Sequence, residues 1–456
     1  MQWLRGYQTA WLKGDISAGL TVGVMLIPQG MAYAMIAGLP PIYGLYAGTF
    51  PLLIYAILGT SRQLAVGPVA MVSLLTAASI GAIAEGGTET YITLAITLAF
   101  LVGVIQWLLG LFRMGFLVNF LSFPVISGFT SAAALIIGLS QLKHLLGIPL
   151  ARTHHIHQIL MEAVKRFDEI NGIAVLIGLL GILLVMSIKR LNRSIPGPLL
   201  AVVFGTLAVW GFDLIRYEVP IVGSVPEGLP AFGIPQINAE TIRTLFMAAL
   251  AISLVGFMQS IAVAKAIQSK HKNYKVVANQ ELIALGLSNV VGSFFQSFPV
   301  TGGFSRTAVA DQVGAKTGVA SLISAALIVL TLLFLTPLFY YLPKAILASI
   351  IMVAVFGLID IKAPIRLWST DRTDFWMLII TFVGTLSLGV EMGIGLGIFL
   401  SLAVIIIQSA RPHVAILGKV PGKRFYRNVD RFDQVEERGD LLIIRFDAQI
   451  YFANLN

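Results

Sequence analysis

The feature that most constrains this chain is a succession of apolar stretches between residues 14 and 410, most of them long enough to cross a lipid bilayer. A spanning helix needs about 20 predominantly apolar residues, so these stretches divide into roughly fourteen spans. Only 12% of the 456 residues are charged, which is too few to cover a water-soluble protein of this size. The sequence therefore predicts an all-α polytopic membrane protein, and it excludes soluble enzymes, disulfide scaffolds and disordered chains.

The predicted spans cover residues 14–37, 44–59, 68–84, 92–112, 116–140, 172–188, 197–215, 242–266, 279–297, 303–315, 318–338, 343–360, 374–389 and 392–410. If the N-terminus is cytoplasmic, the cytoplasmic segments hold most of the lysine and arginine, as membrane insertion favours. We therefore expect both termini to lie in the cytoplasm. We expect the protein itself to reside in a bacterial inner membrane. Loops that face an anionic lipid surface then explain the net charge of +9, and nucleic acid is not an expected partner.

The chain falls into two blocks of about seven spans, separated by the polar, proline-rich stretch 217–240. Because seven is odd, a second block with the same fold must cross the membrane in the opposite sense. Many secondary transporters contain such inverted repeats, and the span parity permits this plan without proving it. After residue 410 the chain becomes polar and basic, with strand-like runs at 441–446 and 449–453. We therefore expect a transmembrane domain, 1–410, and a segment, 411–456, that looks like the opening of a soluble α/β domain.

Two spans differ from ordinary membrane helices and occupy the third place in each block. Span 10, residues 303–315, is short and contains Arg306 and Asp311. Span 3 begins at Gly67-Pro68, after a strand-like run, with proline at a favourable first helical position. Paired short segments interrupted by glycine or proline are the best sequence pointer to a transporter's substrate site.

Two half-helices whose N-termini meet near the bilayer centre direct free N–H groups and partial positive charge at the space between them. That space suits an anion. Arg306 adds a full positive charge, and Thr301 and Ser305 offer hydroxyl donors. The alternative is that Arg306 pairs with Asp311 or Glu281 as part of the scaffold; we favour a role in attracting substrate, because charges inside membranes are functional by default.

Other polar residues have competing interpretations. Gln29 and Tyr33 lie four residues apart on one helix face, so they could line a cavity or could support packing around Pro28, and spacing alone does not decide. Glu281 lies in the first turn of span 9, where Asn279 can cap the helix and a carboxylate complements the helix dipole. Its position therefore favours a structural capping role.

The histidines at 154, 155 and 157 lie in a polar stretch of the sequence, so we interpret them as part of a solvated loop and not as a metal site. No catalytic triad, P-loop, dinucleotide fingerprint or zinc motif is present, so the sequence predicts neither an enzyme nor a cofactor.

Several long motifs resemble the sulfate permease (SulP) family of anion transporters. In the first half they are Gly14-Asp15, Gly19-Leu20-Thr21, Ile27-Pro28-Gln29-Gly30-Met31-Ala32-Tyr33-Ala34, Gly38-Leu39-Pro40-Pro41, Gly44-Leu45-Tyr46, Gly59-Thr60-Ser61-Arg62 and Gly67-Pro68. In the second half they are Asn279-Gln280-Glu281-Leu282-Ile283-Ala284-Leu285-Gly286 and Phe304-Ser305-Arg306. In the tail, Val420-Pro421-Gly422, Tyr426-Arg427 and Tyr451-Phe452-Ala453-Asn454 resemble the start of that family's C-terminal STAS domain, here truncated.

The resemblance implies two inverted seven-span repeats, with a core of spans 1–4 and 8–11 and a gate of spans 5–7 and 12–14. It implies that the core moves as an elevator and carries substrate between the N-termini of spans 3 and 10. The implied substrate residues are Gln29, Tyr33, Val69, Ala70, Ser305 and Arg306. It also implies a possible homodimer in a lipid membrane, and a STAS domain that serves assembly or regulation.

One departure from the family concerns coupling. Gln259 stands where proton-coupled relatives usually carry glutamate, and glutamine cannot titrate. Glu281 is the alternative coupling residue. We expect a carrier of a small inorganic anion, with sulfate ahead of bicarbonate, chloride and dicarboxylates. The alternatives are an anion channel, a voltage-driven motor or a nucleobase carrier of the same fold.

Overall fold

The computed structural model describes residues 6–81, 83–116, 122–148, 156–191, 196–271, 274–410, 414–432, 434–437 and 439–447. The chain divides into two compact units, Met1–Leu396 and Gly397–Asn456. The division falls inside the last predicted span, whereas the sequence suggested a boundary after residue 410.

The first unit is helical, apart from one pair of very short strands. Its first half contains α1 (Leu12–Ile36), α2 (Ile42–Tyr46), α3 (Phe50–Leu58), β1 (Val66–Gly67), α4 (Ala70–Gly81), α5 (Glu89–Leu111), α6 (Phe123–Ser140), α7 (Leu142–Leu146), α8 (Ile156–Lys165), α9 (Gly172–Leu191) and α10 (Gly197–Gly211). Its second half contains α11 (Ala239–Lys270), α12 (Ala278–Phe294), β2 (Thr301–Gly302), α13 (Phe304–Val313), α14 (Val319–Leu330), α15 (Lys344–Phe356), α16 (Lys362–Thr370) and α17 (Arg372–Leu388), and α18 (Val390–Ala410) follows.

Every predicted span contains a helix, so the all-α prediction is confirmed. Span 2 is divided between α2 and α3, and span 11 ends in a π-helical turn, Thr331–Leu335. Among the described residues, five helical stretches are long and apolar enough to cross a membrane, and several shorter apolar helices accompany them. The number of spans that cross the membrane stays a prediction.

Small residues bring the helices of the first unit into close contact. A Cβ atom on Gly19 of α1 would lie 2.6 Å from the carbonyl oxygen of Ala320 on α14. The hydroxyl of Ser324 donates to the carbonyl oxygen of Gly19 at 2.7 Å. Helices α5 and α12 approach similarly, since a Cβ on Gly103 would lie 2.6 Å from the backbone nitrogen of Val290. Such contacts stabilise helix pairs in membranes, where burial of apolar area gives little driving force.

The two strands join the short helices α4 and α13. Strands β1 and β2 pair antiparallel, with Val66 opposite Gly302, and the N–H of Gly303 donates to the carbonyl oxygen of Ala65 at 3.0 Å. The predicted placement of Pro68 as the first helical residue is wrong, because α4 begins at Ala70. The residues just before Pro68 are held in the strand pair, and the chain uses two residues to turn from strand to helix.

The second unit contains a three-stranded antiparallel sheet. Strand β3 (Val414–Lys419) lies between β4 (Tyr426–Asn428) and β5 (Ile444–Phe446). The last strand occupies the end of the strand-like run predicted at 441–446. The other predicted strand, 449–453, lies outside the described residues.

Candidate functional site

A cavity of about 380 Å³ lies among the helices of the first unit. One wall comes from α1, α4, α11 and α13, and the other comes from α9, α10 and α15. The cavity brings together most of the predicted site residues, namely Gln29, Tyr33, Val69, Ala70, Gln259, Ser305 and Arg306. A space of this size is typical of small-molecule sites in proteins.

The N-termini of α4 and α13 both face this cavity. The first intrahelical bond of α4 runs from the N–H of Ser73 to the carbonyl oxygen of Val69 at 3.0 Å, and that of α13 runs from Thr307 to Gly303, also at 3.0 Å. The N–H groups that precede these bonds have no partner within their own helix. Because the strand pair fixes both helix starts, two sets of free N–H groups and two positive helix ends converge on one space.

Arg306 lies at this meeting point and is only 1% exposed. One guanidinium nitrogen, Nη1, donates to Oε1 of Gln29 at 3.4 Å, while Nε and Nη2 have no partner among the described residues. A Cβ on Gly303 would lie 2.6 Å from Nη2, so the guanidinium packs directly over this glycine. A buried cation without a counter-ion is costly, and an anion in the cavity would compensate it.

The scaffold alternative for Arg306 required an acidic partner, and neither candidate pairs with it. The carboxylate of Asp311 accepts from Lys270 at 3.3 Å and also pairs with His271. The carboxylate of Glu281 is fully buried elsewhere and does not line the cavity.

Glu281 accepts hydrogen bonds from α3 and from the loop that follows it. Its donors are the hydroxyl of Tyr55 at 2.6 Å, the N–H and hydroxyl of Thr60 at 2.7 and 2.5 Å, and the N–H of Ser61 at 3.2 Å. These bonds join the first turn of α12 to that loop, which favours a structural role over coupling. The cap that the sequence suggested is absent, since Asn279 instead accepts from the N–H of Gly115 at 2.8 Å.

Thr301 is buried beside the site but does not line the cavity. Its hydroxyl donates to the carbonyl oxygen of Gly256 at 2.6 Å, and Ser260 lies 2.6 Å away. Ser260 accepts in turn from the N–H of Gly302 at 2.8 Å. These bonds fasten β2 to α11, so Thr301 positions the start of α13 and is not placed to touch a substrate.

Asn289 is a second support that the sequence reasoning missed. Its Oδ1 accepts from the N–H of Val300 at 2.8 Å, and its Nδ2 donates to the carbonyl oxygen of Val300 at 3.1 Å. The same amide contacts Gln106 at 3.2 Å, which donates to the carbonyl oxygen of Ser253 at 3.1 Å. Asn289 therefore clamps the backbone before β2, and its only sequence signal is an amide within an apolar span.

Gln259 lies on the cavity wall, and its Oε1 is buried without a partner among the described residues. The cavity therefore contains an unpaired amide oxygen as well as the two guanidinium nitrogens of Arg306 that lack partners among the described residues. The histidines at 154, 155 and 157 lie outside the part of the chain whose side chains the structure describes.

The sequence matches the model of the sulfate permease family over residues 12–381. This chain belongs to the sulfate permease family. It is 42% identical to Sulfate transporter 4.1, chloroplastic, of Arabidopsis thaliana, over 100% of this chain and 67% of that protein. It is 37% identical to High affinity sulfate transporter 2 of Stylosanthes hamata, over 100% of this chain and 71% of that protein.

Solved structures of anion transporters have the same fold as this permease. The structure of SLC26A9 superposes with a TM-score of 0.89 at 28% identity, over 99% of this chain and 74% of that one. The transmembrane domain of the cyanobacterial bicarbonate transporter BicA superposes with a TM-score of 0.74 at 21% identity, over 87% of this chain and 98% of that one. The permease is thus a multi-pass membrane protein and an anion transporter.

Proposed function

We propose that this permease carries a small inorganic anion, with sulfate as the main substrate, by alternating access. The observation that carries the proposal is Arg306, which is buried where the N-termini of α4 and α13 converge and has no acidic partner in the part of the chain that the structure describes. The identity of 42% to a protein named as a sulfate transporter supports sulfate over other anions.

The cavity chemistry favours an anion over a neutral ring. Free N–H groups of α4 and α13 can donate hydrogen bonds to the oxygens of an oxyanion from two sides, as helix N-termini do for phosphate and sulfate. Arg306 can add a charge-assisted hydrogen bond from the nitrogens that lack a partner. The hydroxyls of Tyr33 and Ser305, both on the cavity wall, can complete the shell. A nucleobase would leave the guanidinium uncompensated.

The two walls of the cavity suggest how the anion moves. The wall that holds the predicted site residues belongs to the proposed core, α1–α5 and α11–α14. The opposite wall is apolar and comes from the end of α9, the start of α10 and the end of α15, with Val185, Pro198 and Val353 as examples. In the predicted topology these parts of the gate lie toward the cytoplasm. The structure then corresponds to an inward-facing state, from which the core carries its site past the gate as an elevator.

Coupling follows from the charge of the site. Arg306 supplies the one full charge among the described residues that line the cavity, and Gln259 cannot release or take up a proton. Divalent sulfate in this site keeps a net negative charge as it crosses. We therefore expect uptake to respond to membrane potential and to respond little to a proton gradient.

The test is uptake of labelled sulfate, bicarbonate, chloride and a dicarboxylate into proteoliposomes that contain the purified chain. A carrier is expected to saturate and to show counterflow when unlabelled sulfate is preloaded. Single-channel currents would identify a channel and refute alternating access. Uptake of nucleobase but of none of these anions would refute the substrate class.

A further inference from the structure

Helices α9 and α15 touch at one end and separate toward the other. The hydroxyl of Ser349 donates to the carbonyl oxygen of Gly178 at 2.6 Å, and a Cβ on Gly181 would lie 2.8 Å from Cδ1 of Ile346. Beyond this contact the helices enclose a groove of about 630 Å³. Small residues thus bring the two helices into contact near one end, and larger side chains line the groove beyond it.

The groove is apolar except at one end. Ile182, Met186, Met352 and Phe356 are among the side chains that line it, and Arg190 is the charged residue on its wall. Met186 is 42% exposed and Phe356 is 45% exposed, so the apolar surface is open. The groove therefore has the shape and chemistry of a slot for a chain with an anionic head.

Arg190 marks the end at the membrane surface. It is the residue before the last of α9, a helix of 20 residues, which is long enough to cross the hydrocarbon layer. None of the ion pairs found among the described residues uses Arg190. Its charge is therefore available to a ligand at the level of the lipid headgroups.

We propose that this groove binds an anionic phospholipid, with one acyl chain between α9 and α15 and the phosphate on Arg190. A free inorganic anion gains nothing from methionine and phenylalanine walls, and it would lose part of its hydration there. An acyl chain fills the apolar space without that cost, and a cation near the headgroups adds preference for anionic lipid.

The position of the groove gives the lipid an influence on the anion site. Val353 and Gly357 belong both to the groove wall and to the wall of the anion cavity. A chain seated in the groove holds α15 at a fixed separation from α9, and so fixes one side of the cavity. The bound lipid thereby stabilises the conformation seen here.

The experiment is native mass spectrometry of the full chain in detergent, with phosphatidylglycerol or phosphatidylcholine of identical acyl chains added. We expect the chain to retain phosphatidylglycerol about fivefold better than phosphatidylcholine, the preference that one cation near the headgroups supplies. Arg190→Gln is expected to abolish this preference, whereas Arg113→Gln, which removes a charge after α5 and outside the groove, is expected to keep it. Met186→Trp fills the groove, keeps the charge and is expected to lower retention of both lipids.

Two results would overturn the proposal. The first is an unchanged preference for phosphatidylglycerol in Arg190→Gln, which would place the lipid elsewhere on the surface. The second is stabilisation of the unaltered chain against heat by soluble glycerol phosphate that is as strong as that by phosphatidylglycerol and is lost in Arg190→Gln, which would show a site for a free anion at Arg190. Neither result depends on transport, so failure here leaves the proposed function untouched.

Discussion

Replacement of Arg306 by glutamine separates attraction of substrate from support of the scaffold. The guanidinium is 1% exposed and its Nε and Nη2 have no partner among the described residues. Glutamine removes the charge and keeps a polar group able to contact Gln29. In the empty protein the change removes an uncompensated buried cation, so the folded state should lose no stability.

The expected loss of affinity follows from the burial of the charge. Two unit charges about 4 Å apart interact by about 4 kcal/mol at an effective dielectric constant near 20, which we take as the scale of the contact between the guanidinium and the nearer negative charge of sulfate. Glutamine recovers part of this through a neutral hydrogen bond, which leaves a loss of about 2–4 kcal/mol. A loss of that size raises the dissociation constant for sulfate roughly 30- to 1,000-fold.

The assay combines binding of radiolabelled sulfate in detergent with the thermal midpoint of the sulfate-free protein. Arg306→Gln is expected to bind sulfate weakly and to keep its thermal midpoint, while the matched variant Arg113→Gln, which removes one charge outside the cavity, keeps both. Aggregation of Arg306→Gln in detergent would favour the scaffold interpretation. Normal folding with unchanged affinity would place the anion site elsewhere.

Three further predictions concern Gln259, Asn289 and the C-terminal segment. Gln259→Glu is expected to introduce acceleration of sulfate uptake by external acidification, because a carboxyl in a low-dielectric site can take up a proton as the anion binds. Strong gradient-driven uptake by the unaltered chain would contradict this and would direct attention to Glu281. Asn289→Ala leaves the N–H and carbonyl of Val300 without the partners that Asn289 provides, and it is expected to cost about 2–4 kcal/mol of folding stability. The measurement is thermal unfolding in detergent. A shift of the thermal midpoint within error would show that water replaces the hydrogen bonds of Asn289. Removal of residues 411–456 is expected to change the thermal midpoint and the uptake rate little, because much of the described part of this segment is exposed. A large loss of thermal stability or of uptake would show that the segment supports the membrane domain.

The sequence was most informative where polar residues interrupt apolar spans. Arg306 stood out because a charge in a short apolar segment has few structural explanations, and it does line the cavity. Gln29 and Tyr33 could be placed on one helix face from their spacing, and both lie on the cavity wall. The short helices α4 and α13 were predictable because glycine and proline precede them.

The supports of the site could not be read from the sequence. The pairing of β1 with β2 and the clamp of Asn289 on Val300 join residues that only the tertiary fold brings together. Thr301 shows the same limit, since its hydroxyl was available to a substrate by sequence but donates to Gly256 in the fold. The start of α4 at Ala70, and not at Pro68, depends on how many preceding residues the strand pair holds. Local propensity does not encode that number.

The central claim is that an anion binds between the N-termini of α4 and α13, in contact with Arg306. The most direct measurement is a crystal structure of the chain with selenate, a tetrahedral dianion like sulfate, whose selenium gives an anomalous signal. We expect a strong anomalous peak within hydrogen-bonding distance of the Arg306 guanidinium and of N–H groups at the start of both helices. That peak should be absent from crystals of Arg306→Gln. A peak at Arg190 alone, or an empty cavity at saturating selenate, would contradict the account.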